Sequence, residues 1–248
     1  MRRRDLFLGI LALIIAWQLL AWAGHTDVLP GPWAVFQALL REIPRGLGRH
    51  FLVSGWRVVA SIVISVVTAV PAGLVLGQSP RLNRLFSPIV YIVYPIPKIV
   101  FLPIILLFLG IGNTSKVFII FIILFFQILV VVRDQASTLR PELIYSVRSL
   151  GAGRRALFRF VYLPATLPAV LTALRISVGT AIAVLFFAES FATTSGLGYY
   201  IIVESWGRLA YPEMYAGVVA MSVLGLLLYF VVDGLERRLA PWMFLRDA

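Results

Sequence analysis

The chain of 248 residues contains no cysteine, two histidines and two lysines, and its acidic residues are outnumbered two to one by basic ones. The missing cysteines exclude disulfides, thiolate metal sites and cysteine nucleophiles, while leaving the compartment open. His25 and His50 form no H-E-x-x-H pair and have no partners at metal-ligand spacing, so both read as loop or interface residues. Neither Lys98 nor Lys116 follows a glycine, so there is no G-x-x-x-x-G-K-[ST] loop to cradle nucleotide phosphates. No serine occupies a G-x-S-x-G elbow. No catalytic, cofactor-binding or metal-ligating residue is therefore assigned, and a membrane enzyme is disfavoured.

Charge is also scarce. Only 13% of residues are charged and 60% are hydrophobic, with a mean hydropathy of +0.95. Soluble domains carry roughly 45–50% apolar residues. Here the surplus lies in long runs, which identifies an all-α polytopic membrane protein. A net charge of +11 would suggest nucleic acid in a soluble domain. Here the basic residues flank apolar runs, as in the loops of membrane proteins, and no nucleic-acid partner is expected.

Six spans are predicted, at about 6–23, 51–77, 86–110, 117–132, 164–191 and 214–232. The first follows Arg2, Arg3 and Arg4 and has the outline of a signal peptide, down to Ala21-Trp22-Ala23. It is longer than the ~7–15 residues of a signal core, so an uncleaved span is expected. Intact mass tests this, because cleavage would remove residues 1–23. Leu29-Pro30-Gly31-Pro32 reads as a turn, and Trp33, Phe36, Leu40 and Ile43 then mark one face of a short interfacial helix.

The second span is rich in small residues and contains a Gly73/Gly77 pair suited to close helix packing, most simply within the chain. Pro71 is expected to kink it. Arg81 and Arg84 read as the next loop. The third region is interrupted by Pro88, Pro95, Pro97 and Pro103, with Lys98 among them. Irregular backbone at membrane depth needs protein or a water-filled cavity around it. A lysine there either serves the pathway or is held by a backbone carbonyl or an interface. Arg175 lies inside the fifth span and Glu189 near its end. The two are about 21 Å apart along one straight helix, so they could pair only between helices or subunits. Lys98, Arg175 and Glu189 are the pathway candidates. Trp242 is a candidate interface anchor.

Six spans place both termini on one side. That side holds fourteen basic residues: Arg2, Arg3, Arg4, Arg81, Arg84, Arg133, Arg140, Arg148, Arg154, Arg155, Arg159, Arg237, Arg238 and Arg246. The other holds five, Arg41, Arg45, Arg49, Lys116 and Arg208, while Arg57, Lys98 and Arg175 lie within spans. The asymmetry predicts cytoplasmic termini and a cytoplasmic 133–162 loop.

That loop has its own pattern. Pro141 suits a first helical turn, Glu142 complements the helix N-terminus, and Leu143, Ile144, Val147 and Leu150 recur at helical spacing. Gly151 is a natural stop, followed by a second short helix with Ala156, Leu157, Phe160 and Val161 on one side. An apolar ridge outside a bilayer requires a partner.

The loop resembles the EAA loop of bacterial ABC importer membrane subunits, with Gly151 and Leu163-Pro164 at the matching places. Tyr145, Ser146 and Val147 stand where the family has Glu-Ala-Ala, so the family's glutamate is absent. Leu29-Pro30-Gly31-Pro32, Tyr94-Pro95-Ile96-Pro97-Lys98 through Pro103, Phe108-Leu109-Gly110-Ile111-Gly112, Ser115-Lys116, Ala188-Glu189 and Gly196-Leu197-Gly198-Tyr199 are similar to signatures of the nitrate/sulfonate/taurine-type permeases. The likeness covers about residues 29–242. It implies a type I (MetI-like) permease, one transmembrane domain over 1–248, a second, identical permease copy, separate ATPase subunits that bind ATP and Mg, and an extracytoplasmic solute-binding protein. Leu143, Ile144, Tyr145, Ser146, Val147, Leu150, Gly151 and Ala152 are then the expected ATPase-coupling residues. The implied cargo is a small anion such as a sulfonate, taurine or nitrate. The alternatives are a vitamin or pyrimidine precursor or, in another class, a self-contained secondary transporter.

Overall fold

A computed structural model describes residues 3–244, and the side chains of all of these except 3, 6, 7, 154, 243 and 244. The expectations placed on Arg2 and Arg246, and on the side chains of Arg3 and Arg154, lie outside the described residues. The described chain is helical throughout: α1 (Arg3–Gly24), α2 (Pro32–Glu42), α3 (Gly48–Gln78), α4 (Pro80–Val93), α5 (Leu102–Leu109), α6 (Asn113–Ser137), α7 (Pro141–Ser149), α8 (Arg154–Leu157), α9 (Leu163–Ser190), α10 (Leu197–Tyr199) and α11 (Tyr211–Leu239). Among the described residues, four helical stretches are long and apolar enough to cross a membrane, Pro32–Gln78, Asn113–Ser137, Arg155–Ser190 and Tyr211–Leu239. A fifth candidate is the pair Pro80–Val93 and Lys98–Leu109, bent by 77°. The apolar part of α1 described in full is shorter, Leu8–Gly24.

The chain divides into two compact units, 1–55 with 189–224, and 56–188 with 225–248. In the first, α2 behaves as its sequence predicts. Pro32 opens it at the first position, where the missing N–H costs nothing. Val35 and Ala38 are buried with Ala216 of α11, packed by Trp17 and Tyr215, whose rings lie 6.1 Å apart. Trp17 donates its indole N–H to the Pro30 carbonyl at 3.1 Å. The opposite face, Trp33, Phe36, Leu40 and Ile43, is exposed. A wide π-type turn at Ile43–Leu47, with Gly46 at φ 151°, joins α2 to α3.

In the second unit, α3 and α6 form a close seam. Arg57 Nε donates to Asn113 Oδ1 at 2.9 Å, Ser61 Oγ to the Val117 carbonyl at 3.1 Å, and Ser65 Oγ to the Phe121 carbonyl at 3.2 Å. Each pair is separated by 56 residues, so the two helices run parallel and in register. The row advances four residues at a time, from Arg57 through Ser61, Ser65, buried Ala69 and Gly73 to Gly77. A Cβ on Gly73 would lie 2.8 Å from Val132 Cβ, and one on Gly77 2.6 Å from Ala136 Cβ. The Gly73/Gly77 pair thus serves packing inside the chain, where backbones approach because no side chain intervenes. Gly77→Val is expected to overpack this seam and destabilise the protein by about 1–3 kcal/mol. Thermal unfolding in detergent, compared with Gly234→Ala, checks this, since a Cβ on Gly234 meets nothing within 4 Å.

One local expectation is corrected. Arg81 and Arg84 do not lie in a loop but in the first turns of α4, which Ser79 caps by accepting from the Leu82 N–H at 3.4 Å. A Ser-Pro step is a strong helix start, which the two arginines obscured. Pro71 lies inside α3, which continues through it to Gln78.

Candidate functional site

The basic segment between α6 and α9 forms the expected first helix and glycine turn, but the expected second short helix is the start of one continuous helical stretch, Arg155–Ser190. Pro141 opens α7 at its first turn with Glu142 beside it, and the helix ends at Ser149. Gly151 follows at φ 80°, and its N–H donates to the Arg148 carbonyl at 2.9 Å. This left-handed position favours glycine, and a Cβ there would meet nothing within 4 Å, so the requirement is conformational rather than steric. Ser146 and Ser149 return their hydroxyls to the carbonyls of Glu142 and Ser146.

No residue of α7 is buried. Its apolar ridge divides in two. Leu143 and Val147 line a cleft of about 420 Å³ with Phe160, Val161, Pro164, Ala165 and Trp242. Trp242 thus lies beside the α7–α9 turn. Tyr145 (65% exposed) and Leu150 (85%) have no such cover. Ile144 and Ala152 are half-buried. The surface at the turn is therefore Tyr145, Leu150 and the bare backbone of Gly151.

The three ionic candidates have separate explanations. Lys98 follows Pro95 and Pro97, which lack N–H donors and end α4. Its ammonium donates to the carbonyls of Val93 (2.9 Å), Tyr94 (3.0 Å) and Ile96 (3.3 Å) and lies 4.8 Å from the centre of the Phe126 ring. It caps the carbonyls that the bend leaves open, the carbonyl-held outcome foreseen for a lysine at membrane depth. Lys98→Met is expected to orphan these oxygens and lower stability by about 1–3 kcal/mol, measured by thermal unfolding in detergent.

Arg175 does not use Glu189. Its guanidinium pairs with Asp233 at 3.2 Å and with buried Glu236, both on α11. Spacing along α9 could not show this, because the partners come from an element 58 residues or more away. Glu189 is fully buried. Ser54 Oγ donates to its carboxylate at 2.7 Å, and the Gly198 N–H at 3.1 Å. Leu197 N–H donates to Ser54 Oγ at 2.8 Å, and Gly196 N–H to His50 Nδ1 at 2.9 Å. Three successive amides at the start of α10 are thus held by three side chains. Gly196 has φ 118°, and a Cβ there would fall inside the Glu189 carboxyl group. Sequence reading placed His50 in a loop or at an interface. It is in fact buried, four residues and one turn from Ser54, and only the fold brings Gly196 to it.

Among the described residues no cluster of three or more His, Asp or Glu side chains could hold a metal ion. What the fold offers is a set of long apolar helices and an exposed, glycine-terminated amphipathic turn. The chain belongs to the binding-protein-dependent transport system inner membrane component family, whose pattern matches residues 69–245.

Its relatives include the taurine transport system permease protein TauC of Escherichia coli, 33% identical over 221 residues, covering 86% of this chain and 80% of that one. The nitrate import permease protein NrtB of Synechococcus elongatus is 26% identical, with 91% and 85% covered. The formylaminopyrimidine transport permease protein ThiX of Halalkalibacterium halodurans is 28% identical, with 95% and 94% covered. Among solved structures, a chain of the inward-facing MetNI methionine ABC transporter shares the fold at a TM-score of 0.65 and 23% identity, covering 78% of this chain and 96% of that one. The protein is an inner-membrane, multi-pass permease subunit of an ABC importer in the nitrate/sulfonate/taurine branch, and not an enzyme.

Proposed function

We propose that this subunit forms the path for a small anionic solute of the sulfonate, taurine or nitrate kind and takes its motive force from a separate ATPase through the α7–Gly151 turn. The carrying observation is the turn itself, with Tyr145 and Leu150 exposed beside a glycine in left-handed conformation. An apolar knob on a short helix suits insertion into a groove of a partner. The missing family glutamate leaves docking to the apolar ridge and Gly151. ATP and Mg belong to the partner chain, a binding protein delivers the solute from outside, and a second copy of the permease completes the pathway.

Six crossings follow with both termini cytoplasmic. The parallel run of α3 and α6 supports a true crossing by the bent pair: the chain leaves α3 at Gln78 and must re-enter α6 beside Arg57. The α4–α5 pair makes that return. The α1 helix, 22 residues and about 33 Å long, is the remaining span. Of the ionic candidates, Arg175 is neutralised by two carboxylates and Glu189 is committed to the α10 turn. Lys98 is held by carbonyl oxygens, which leave its positive charge in place at the broken span and bias the pathway toward anions.

The test is reconstitution in proteoliposomes with the cognate ATPase and binding protein. ATP-dependent accumulation of taurine or nitrate is expected, with none under an ion gradient alone. Gradient-driven uptake without ATP would identify a secondary transporter instead. Accumulation of a formylaminopyrimidine rather than an anion would reassign the cargo.

A further inference from the structure

The segment after α9 is closed by a histidine that fits only in its neutral form. A backbone N–H is always a donor, so His50 Nδ1 must present a lone pair to Gly196 N, 2.9 Å away. The proton then resides on Nε2, which faces Glu204 Oε2 at 3.5 Å. Gly196 cannot easily turn aside. Its backbone is held at φ 118° over the Glu189 carboxylate, and the next two amides are bound to Ser54 and Glu189.

We infer that His50 is a proton-sensitive latch: neutral, it holds the 196–205 segment closed, and protonated, it releases that segment. Adding a proton to Nδ1 sets two donors face to face and orphans the Gly196 amide. The imidazolium is then drawn to Glu204.

The groups around the ring support this assignment. They are Glu204 on the π-type turn Tyr200–Ser205, the rings of Tyr199 and Tyr200 at 5.9 and 5.7 Å, and Glu189 through Ser54. Glu42 and Glu213 act on Tyr200 from α2 and α11, and Arg41 pairs with both of those carboxylates. Burial first, and then the charge of Glu42, push the Tyr200 hydroxyl up to about 12, so it keeps its proton throughout the neutral range. The closed form binds one proton fewer at His50 than the released form. Closure therefore strengthens as pH rises and weakens as pH falls.

The natural lack of cysteine makes the test direct. Leu197→Cys places a thiol at a fully buried position and Val203→Cys at one 47% exposed. Maleimide labelling rates are measured for each in the purified full transporter in lipid nanodiscs, where both faces meet the buffer. The ratio of buried to exposed rates removes the thiol's own pH dependence. On acidification from about pH 7.5 to about pH 5.5 the ratio is expected to rise about tenfold, the scale of one orphaned buried amide.

In a His50→Asn background the ratio should stay flat, because Asn keeps an acceptor but does not titrate. Glu204→Gln should shift the rise to lower pH by removing the attraction for the imidazolium. A flat ratio in the parent, or an equal rise in His50→Asn, overturns the latch. Ile201→Cys, 4% exposed, repeats the measurement should Leu197→Cys not fold. The readout needs neither solute nor ATP, so it fails or succeeds separately from the transport assignment.

Discussion

Leu150→Ser is expected to leave the subunit as stable as its parent while reducing ATP-driven uptake to background. The reasoning is one of exposure. Leu150 is 85% exposed, and no residue of α7 is buried in the chain's own fold. Truncating so exposed a side chain changes stability by at most ~0.5 kcal/mol. Any large loss of function must then come from a surface outside this polypeptide. Gly151→Asp should act in the same direction for a second reason. It adds a side chain where none meets the chain, and forces a residue with a Cβ to φ 80°, at about 1–2 kcal/mol. Both variants should insert in normal amounts. Membrane abundance and thermal unfolding, measured beside uptake, separate a docking defect from a folding defect. Full uptake by Leu150→Ser would remove the turn from the coupling path.

Gly196→Ala should do the reverse and remove the protein itself. Its Cβ would fall inside the Glu189 carboxyl group, and a φ of 118° is nearly closed to other residues. Glu189 cannot retreat without releasing the Ser54 hydroxyl and the Gly198 amide, two buried donors. A loss of about 3–5 kcal/mol is expected, a large part of the 5–15 kcal/mol that holds a typical domain. The variant should be nearly absent from the membrane. Gly179→Ala, in mid-helix with nothing within 4 Å of its Cβ, should be present at the parent level. Quantitative immunoblotting of the membrane fraction distinguishes them.

The two glycines show why the sequence is readable in some places and mute in others. Gly151 was legible because its reason is local: a periodic apolar run ends there, and a left-handed residue is the ordinary way to stop a helix. The same holds for Pro141, for the proline-broken third region, and for the exposed face of α2. Gly196 belongs to a visible signature, Gly196-Leu197-Gly198-Tyr199, but its cause is the Glu189 carboxylate and the His50 ring, and neither is adjacent in sequence. Arg175 was read as a pathway charge because its partners Asp233 and Glu236 lie on another helix. Lys98 is the intermediate case: its carbonyl partners are two to five residues away, and the carbonyl-held alternative could be stated from sequence. The seam of α3 and α6 also leaves a trace, small residues every fourth position from Ser61 to Gly77, although only the fold names the helix that fills it.

If an ATPase receives the α7–Gly151 turn, cross-linking at that turn detects it most directly. In this cysteine-free chain, Leu150→Cys provides a single thiol at an 85% exposed position of the turn. A short bifunctional reagent applied to membranes of cells producing the whole transporter should give one heterodimer of this subunit with a P-loop ATPase, and its yield should change when ATP is added. A product containing only this chain, or a thiol that reacts freely yet links to no ATPase in either nucleotide state, would contradict the account.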